Sequence, residues 1–260
     1  MLEIKGVHKT FNRGTINEKK ALCGIDLTLN DGDFVTVIGG NGAGKSTLLN
    51  MITGVYPVDC GSIVIDGVDV TRLPEYKRAK YFGRVFQDPM TGTAAAMEIE
   101  ENLALAARRG KPRTLRHGVT KREKAQFKEL LSKLDLGLEN RLTTKVGLLS
   151  GGQRQAITLL MATMCNPNLL LLDEHTAALD PQTASKVLNI TDELVSAGKI
   201  TTLMITHNMK DAIRLGNRLI MMYDGKISSE EKKNLQVSDL LELFSKASHG
   251  EFANDRMLLS

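Results

Sequence analysis

The sequence predicts an α/β protein in which a parallel β-sheet is covered by helices, with an N-terminal antiparallel β-subdomain and an inserted α-helical subdomain. After residue 168, apolar strand-like and helix-like segments alternate, an order typical of parallel strands joined by helices. Residues 169–172 are four leucines, as expected for a strand buried on both faces. Near the N-terminus, a glycine-rich segment lies between a β-branched run at 34–38 and a helical segment that begins at Thr47. These observations predict the core.

The rest of the chain adds two subdomains to this core. Partly alternating segments and Asp-Gly turns predict antiparallel strands before residue 71. Between Met97 and Cys165 the apolar spacing becomes helical, with residues at i, i+3, i+4 and i+7. That spacing relates two groups: Phe127, Leu130, Leu131 and Leu134, and then Ile157, Leu160, Met161 and Met164.

The predicted single domain spans 1–260. It consists of a core at about 1–87 and 166–228, a helical subdomain at about 88–165 and a short tail at 229–260. The predicted elements are strands over 21–29, 34–38, 81–87, 169–173, 201–206 and 218–223, a hairpin over 61–70, and helices over 181–197 and 209–215.

Composition limits the classes of protein to consider. The chain has 260 residues, 42% hydrophobic and 25% charged, which is ordinary for a globular protein. The net charge of +4 gives no argument for nucleic acid, and no nucleic-acid partner is expected. Three widely spaced cysteines favour reduced thiols. The opening Met-Leu-Glu-Ile-Lys shows no secretory leader, and the longest apolar runs are shorter than the ~20 residues that span a bilayer. We therefore expect any membrane role to depend on a partner.

The glycine-rich segment predicts a phosphate-binding loop. Its sequence matches GxxxxGK[ST], and a strand before and a helix after give the match its structural meaning. Glycines let backbone N–H groups approach an anion, and the helix N-terminus is favourable for the same charge. Lys45 is expected to reach the β- and γ-phosphates, and the Ser46 hydroxyl to hold Mg²⁺. The predicted nucleotide-binding residues here are Gly39, Asn41, Gly42, Ala43, Gly44, Lys45, Ser46 and Thr47.

Two acids end the leucine strand. Ligands bind at the carboxyl ends of parallel strands, where Asp173 and Glu174 emerge. Asp173 suits Mg²⁺, a hard cation that takes oxygen ligands. Glu174 points elsewhere, because side chains alternate along a strand, and is a candidate general base. The alternative is a strand that simply ends in acids before a helix.

A second anion-binding segment is Ser150-Gly151-Gly152-Gln153, which precedes an amphipathic helix. By itself it is a serine N-cap followed by small residues, a common helix start. The same hydroxyl and helix N-terminus also suit an anion.

The phosphate loop, Leu149–Gln153 and the Leu-Leu-Leu-Leu-Asp-Glu strand, in this order, resemble the nucleotide-binding domain of ATP-binding cassette (ABC) proteins. The resemblance covers about residues 2–228. It implies that Gln87 contacts Mg²⁺ or the attacking water, that His207 contacts the γ-phosphate, and that Asp180 crosses a dimer interface. It also implies that Phe11 stacks on adenine, although tyrosine is more usual there.

Each of these positions has a simpler alternative. Gln87 before Asp-Pro could be an ordinary loop residue, and Asp180 before Pro181 an ordinary helix start. His207 could cap a helix, and Phe11 could lie in the core. The sequence departs from the family at His175, where proline is usual after the catalytic acid. Histidine frees φ and restores an N–H donor.

The resemblance implies the reaction ATP + H₂O → ADP + phosphate, with Mg²⁺. Lys45, Glu174, His207 and Gln87 are then the catalytic residues, and Ser46, Gln87 and Asp173 hold the metal. Ser150 and Gly152 contact the ATP held by the opposite subunit of a head-to-tail homodimer. Implied partners are transmembrane permease subunits and, indirectly, a substrate-binding protein, at the cytoplasmic face of the membrane.

The motifs look most like those of ATPases of bacterial amino-acid importers, tryptophan and tyrosine in particular. The alternative is a non-transport ABC ATPase such as the iron–sulfur assembly ATPase. The locally basic stretch 108–124 is either a solvated surface or a contact for anionic lipid headgroups.

Overall fold

The computed structural model describes residues 1–111 and 118–232. The strands are β1 (Leu2–Phe11), β2 (Lys19–Leu29), β3 (Phe34–Ile38), β4 (Cys60–Ile65), β5 (Val68–Asp69), β6 (Phe82–Val85), β7 (Leu169–Asp173), β8 (Thr201–Ile205), β9 (Arg218–Tyr223) and β10 (Lys226–Lys232). The α-helices are α1 (Lys45–Thr53), α2 (Glu75–Arg78), α3 (Ile99–Ala107), α4 (Lys121–Ser132), α5 (Gly151–Thr163), α6 (Pro181–Gly198) and α7 (Met209–Leu215). Short 3-10 helices cover Leu138–Asn140 and Val146–Leu148.

The strands form two sheets, as predicted. A six-stranded sheet has the order β10-β9-β3-β8-β7-β6, and a four-stranded sheet has the order β2-β1-β4-β5. All pairs among β9, β3, β8, β7 and β6 are parallel, whereas the four-stranded sheet is antiparallel throughout. The predicted fold class, with a parallel core and an N-terminal antiparallel subdomain, is confirmed.

The leucines of β7 divide between two hydrophobic clusters. Leu169 and Leu171 pack with α1 and the antiparallel sheet, while Leu170 and Leu172 pack with the helices that follow β6. This division is what a strand covered on both faces requires. Helix α1 therefore lies between the two sheets, and its N-terminus, where the glycine-rich loop ends, is held by the packing of the whole core.

The segment 88–165 contains α3, α4 and α5, as its apolar spacing predicts. Phe127, Leu131 and Leu134 are buried and Leu130 is partly buried. In α5, Ile157 is fully buried. These side chains join the cluster on one face of the parallel sheet, so the inserted helices share a core with it.

The C-terminal part differs from expectation in one respect. Strand β10 pairs antiparallel with β9 and extends the sheet to Lys232, so the predicted tail boundary at 229 falls inside a strand. The Asp224-Gly225 turn has positive φ at both residues, a geometry that favours a tight hairpin. Residues 233–260 of the predicted tail lie outside the described part of the chain.

In the basic stretch 108–124, four of the described cations, Arg108, Arg109, Lys111 and Lys124, have local partners. The Arg109 guanidinium donates to the carbonyls of Phe82 (3.3 Å), Met161 (3.3 Å) and Ala162 (3.0 Å). Lys124 pairs with Glu100 at 2.7 Å. These contacts favour the solvated and structural interpretation over lipid binding. Arg113 and Arg116 lie outside the described residues. No helix in the described ranges is long and apolar enough to cross a membrane.

Candidate nucleotide site

The predicted phosphate loop opens into a pocket at the carboxyl ends of adjacent strands. The loop follows β3, while the segments after β7 and β8 contribute one residue each; these three strands are neighbours in the sheet. The cavity has a volume of about 360 Å³. It is lined by Phe11, Lys19, Ala21, Asn41, Gly42, Ala43, Gly44, Lys45, Ser46, Thr47, Glu174 and His207.

The loop conformation requires glycine at two positions. Gly42 and Gly44 have φ of +82° and +102°, which disfavour any residue with a Cβ. A Cβ on Gly44 would also lie 2.6 Å from the Ala21 carbonyl oxygen. Lys45, the first residue of α1, donates from Nζ to the carbonyl of Gly39 at 2.7 Å and to that of Gly40 at 3.0 Å. The loop is thus curled around the lysine, and the N-terminus of α1 faces the pocket.

Glu174 and His207 also line the pocket and contact each other. His207 Nε2 lies 2.5 Å from Glu174 Oε1. Glu174 has φ of +46°, an uncommon conformation for a residue with a side chain, often found at functional sites. Its N–H donates to the Ile205 carbonyl at 3.0 Å, which fixes the turn. His207 does not cap a helix, because the side chain of Asn208 caps α7.

Asp173 lies beside this pair but does not line the cavity. Its Oδ2 accepts a hydrogen bond from Arg84 Nη2 of β6 at 3.1 Å, and Arg84 Nη1 donates to Asn50 Oδ1 of α1 at 2.9 Å. Burial raises the pKa of the Asp173 carboxyl above its ordinary value, and the Arg84 cation opposes that rise.

His175 occupies the position at which the resemblance implies proline. It is 2% exposed, and burial lowers its pKa to about 4. Its Nε2 lies 3.1 Å from Thr191 Oγ1 in α6. That hydroxyl donates to the Val187 carbonyl at 2.8 Å, so it accepts from His175, which fixes the Nε2–H tautomer. The histidine therefore ties the turn after Glu174 to α6 by a hydrogen bond.

Phe11 is not a core residue. It is partly exposed and lines the pocket. Its ring meets the Tyr56 ring edge-on with centroids 5.2 Å apart, and Lys9 Nζ lies 5.7 Å from its centroid. These neighbours give an exposed aromatic face a defined orientation.

The second anion-binding segment lies apart from the pocket. Ser150 caps α5, and Gln153 returns the hydrogen bond, each at 3.3 Å. Asp180 caps α6 by accepting from the Thr183 N–H at 3.1 Å. The two helix starts are packed together, since a Cβ on Gly152 would overlap Cγ2 of Thr183.

The structure thus brings together only part of the predicted site. The predicted residues that do not line the cavity are Gly39, Gln87, Ser150, Gly151, Gly152, Gln153, Asp173 and Asp180. Gln87 is exposed in the loop after β6. Lys19 and Ala21 line the cavity and were missed by the sequence analysis. Both belong to β2, and no motif marks them.

The donor chemistry fits a hard cation that keeps water and phosphate ligands. Among the described residues, no group of three or more His, Cys, Asp or Glu side chains is arranged to hold a metal ion. A hydroxyl from Ser46 and a carboxylate from Asp173 are the oxygen ligands that Mg²⁺ takes when substrate phosphates complete its coordination. The residues present therefore fit Mg²⁺ bound together with a nucleotide.

Comparison with known proteins agrees with this geometry. The family model described as ABC transporter matches residues 22–177. A tyrosine transport ATP-binding protein of Clostridioides difficile is 44% identical over 255 residues, which are 95% of this chain and 100% of that protein. A methionine import ATP-binding protein of Enterococcus faecalis is 34% identical over 235 residues, which are 89% of this chain and 65% of that relative.

Solved structures show the same fold. A dimeric ATP-binding cassette in a post-hydrolysis state, bound to ADP and Pi, superposes with a TM-score of 0.77 at 28% identity, covering 91% of this chain and 100% of that one. An ATP-binding cassette of an ABC transporter in its ADP conformation gives a TM-score of 0.78 at 28% identity, covering 98% and 99%.

The fold and pocket define a nucleotide-binding cassette with a phosphate loop. The family model covers more than half of the sequence, and the clostridial relative is matched over its full length. The chain belongs to the ABC transporter family. It is an ATP-binding subunit of an ABC transporter, and it is an ATPase.

Proposed function

We propose that the catalytic centre uses Lys45, Ser46, Asp173, Glu174, Gln87 and His207 on Mg²⁺-bound ATP. The observation that carries the proposal is the 2.5 Å contact between Glu174 and His207, two residues that line the same cavity as the phosphate loop. Ser46, Asp173 and Gln87 would hold Mg²⁺, which supplies positive charge against the phosphates. Phe11 would stack on the adenine.

Three of these side chains have clear tasks in the chemistry. Lys45 exchanges the carbonyls of Gly39 and Gly40 for phosphate oxygens, a charge-assisted contact that is stronger than the one it replaces. Glu174 orients or deprotonates the attacking water, and His207 holds that carboxylate and faces the γ-phosphate. Positioning and electrostatic stabilisation supply most of the acceleration in phosphoryl transfer.

We further propose that one chain holds only half of a working site. Ser150–Gln153 forms a helix start suited to anions but contributes nothing to the cavity of its own chain. In a head-to-tail dimer the same segment of a second copy would complete the site, with Asp180 at the interface. Dimeric solved cassettes with 100% of their chain matched support this arrangement.

The dimer would energise uptake of a small solute, such as an aromatic amino acid, through transmembrane permease subunits. The support is the 44% identity to a tyrosine transport ATP-binding protein and the similarity to a methionine import protein. The chain would then lie at the cytoplasmic face of the cell membrane, with a substrate-binding protein as an indirect partner. The iron–sulfur assembly alternative is not favoured, because these relatives are transport and import proteins.

The half-site proposal is tested with Ser150→Arg. Since Ser150 does not line the cavity, the variant should bind ATP with wild-type affinity in equilibrium titrations. Hydrolysis should be lost, because an arginine would obstruct the approach of the second chain. Lys45→Ala is the contrasting control, and this variant should lose affinity for ATP. Normal hydrolysis by Ser150→Arg would show that each chain holds a complete site.

The transport proposal is tested by isolating the chain from membranes. Recovery of a multi-span membrane protein together with the chain supports the permease assignment. Recovery of a water-soluble scaffold protein alone would contradict it.

A further inference from the structure

Arg84 joins the phosphate-loop helix to the acid at the end of β7. Its guanidinium fork donates to Asp173 Oδ2 at 3.1 Å and to Asn50 Oδ1 at 2.9 Å. The guanidinium carbon also lies 4.6 Å from the centroid of the Phe86 ring. The Arg84 and Asp173 side chains are 11% and 15% exposed, so the contact is largely shielded from water.

The position of Asn50 on α1 gives this contact a functional meaning. Asn50 is four residues after Ser46, so the two side chains lie on the same face of the helix, one turn apart. Arg84 therefore connects the helix face that carries the Ser46 hydroxyl to the Asp173 carboxylate. A planar fork can hold two oxygen acceptors at a fixed separation, which an ammonium cannot do.

Packing alone gives no reason for an arginine at this position. Arg84 Nε is buried and has no hydrogen-bond partner within the described structure. Burial of this unpaired donor costs free energy, and the cost is accepted at a position where the guanidinium also pairs with the shielded Asp173 carboxylate. The arginine is explained if the Asp173 carboxylate must be placed accurately relative to helix α1.

We propose that Arg84 is a positioning residue for the Mg²⁺–ATP complex. It fixes Asp173 relative to Ser46, so that the two oxygen ligands are already at the spacing that the metal requires. The inference rests on the proposed metal-binding role of Asp173 and Ser46. It assigns Arg84 no contact with the nucleotide.

The test measures the affinity of a fluorescent ATP analogue in excess Mg²⁺ and again in EDTA. The affinity in Mg²⁺ divided by the affinity in EDTA isolates the contribution of the metal, since general damage to the pocket lowers both affinities. Arg84→Met should lower this ratio about 10-fold, the usual effect of removing a residue that orients a metal ligand. Its affinity in EDTA should equal that of the wild type, because the phosphate loop is untouched.

Arg218→Met is the matched control. It removes another shielded ion pair of the same sheet. In this pair Arg218 Nη1 lies 2.5 Å from Asp33 Oδ2, and the two side chains are 16% and 14% exposed. This pair is formed by the N-terminal residue of β9 and the residue before β3, at the end of the sheet opposite to the site. Its ratio should equal that of the wild type.

Each outcome decides the proposal. An unchanged ratio in Arg84→Met overturns it, and a higher ratio would do so by showing that the arginine competes with the metal. If circular dichroism shows that Arg84→Met does not fold, Arg84→Lys decides. A lower ratio of the two affinities in this variant supports the need for the guanidinium fork, and a wild-type ratio overturns the proposal. A wild-type chain whose affinity does not respond to Mg²⁺ would overturn the metal site and the inference together.

Discussion

Arg78 is a buried residue that supports the C-terminal end of the phosphate-loop helix. It is 1% exposed and donates to four backbone carbonyls: Leu73 at 2.7 Å, Met51 at 2.7 Å, Ile52 at 3.0 Å and Thr71 at 2.9 Å. Two of these acceptors belong to the C-terminal half of α1, where helix carbonyls have no partner within the helix. The cation also interacts favourably with that end of the helix dipole.

We predict that Arg78→Met lowers the free energy of unfolding by about 4 kcal/mol. Each buried carbonyl left without a donor costs about 1–3 kcal/mol. The loss is offset in part because the variant no longer buries a charge; burial lowers the pKa of Arg78, the expected sign of that cost. Four such carbonyls at the low end of that range give about 4 kcal/mol, which allows for this offset.

The assay is urea denaturation followed by circular dichroism, with wild type and variant at one pH and salt concentration. Arg72→Met is the control, since Arg72 is an exposed arginine in the same connection and its replacement should change stability by less than about 0.5 kcal/mol. Equal stability losses in the two variants would refute the reasoning, because burial and the four carbonyls would then be irrelevant.

Three further predictions concern the site and its supports. Lys19→Ala should weaken ATP binding about fivefold in equilibrium titrations, because this exposed cation lines the cavity and its Nζ lies 3.3 Å from a Cβ position on Gly42; unchanged affinity would contradict a phosphate contact. His175 should make the chain less stable in acid. Its pKa is about 4 when the chain is folded and about 6.5 when it is unfolded. Stability that is present above pH 6.5 is therefore lost as the pH falls towards 4, by about 2 kcal/mol at pH 5. His175→Gln should lack this part of the slope in denaturation at pH 5 to 8, and identical slopes would refute it. Gly152→Ala should destabilise by about 1–3 kcal/mol through overlap with Thr183, and Thr183→Ser, which removes the overlapped methyl, should restore most of the loss in a double-variant measurement.

Sequence patterns predicted the buried strands of the parallel sheet and several elements at its edges. The bounds of β3, β7, α7 and β9 are those expected from apolar runs and turn residues, and the 61–70 hairpin appears as β4 and β5. Strands β3, β7 and β9 are fixed locally, because a continuous apolar run has no exposed face to confuse the pattern. The glycine-rich loop was equally clear, since strand, loop and helix are adjacent in sequence.

The contacts that join distant segments were not predictable. Arg84 and Asp173 are 89 residues apart, and nothing in the short strand around Arg84 marks it as a partner of a carboxylate. Lys19 and Ala21 enter the cavity only because β2 lies beside the phosphate loop. The role of His175 was also open, because its partner Thr191 belongs to α6. Such contacts depend on the packing of elements, which periodicity alone does not describe.

The central claim is that two chains close around ATP and that Glu174 is needed to open them again. Glu174→Gln keeps the shape of the side chain but removes the carboxylate that acts on water. Light scattering of this variant should show monomer without nucleotide and a stable dimer with ATP, while phosphate release falls to background. A variant that stays monomeric in ATP and hydrolyses it at the wild-type rate would contradict the account.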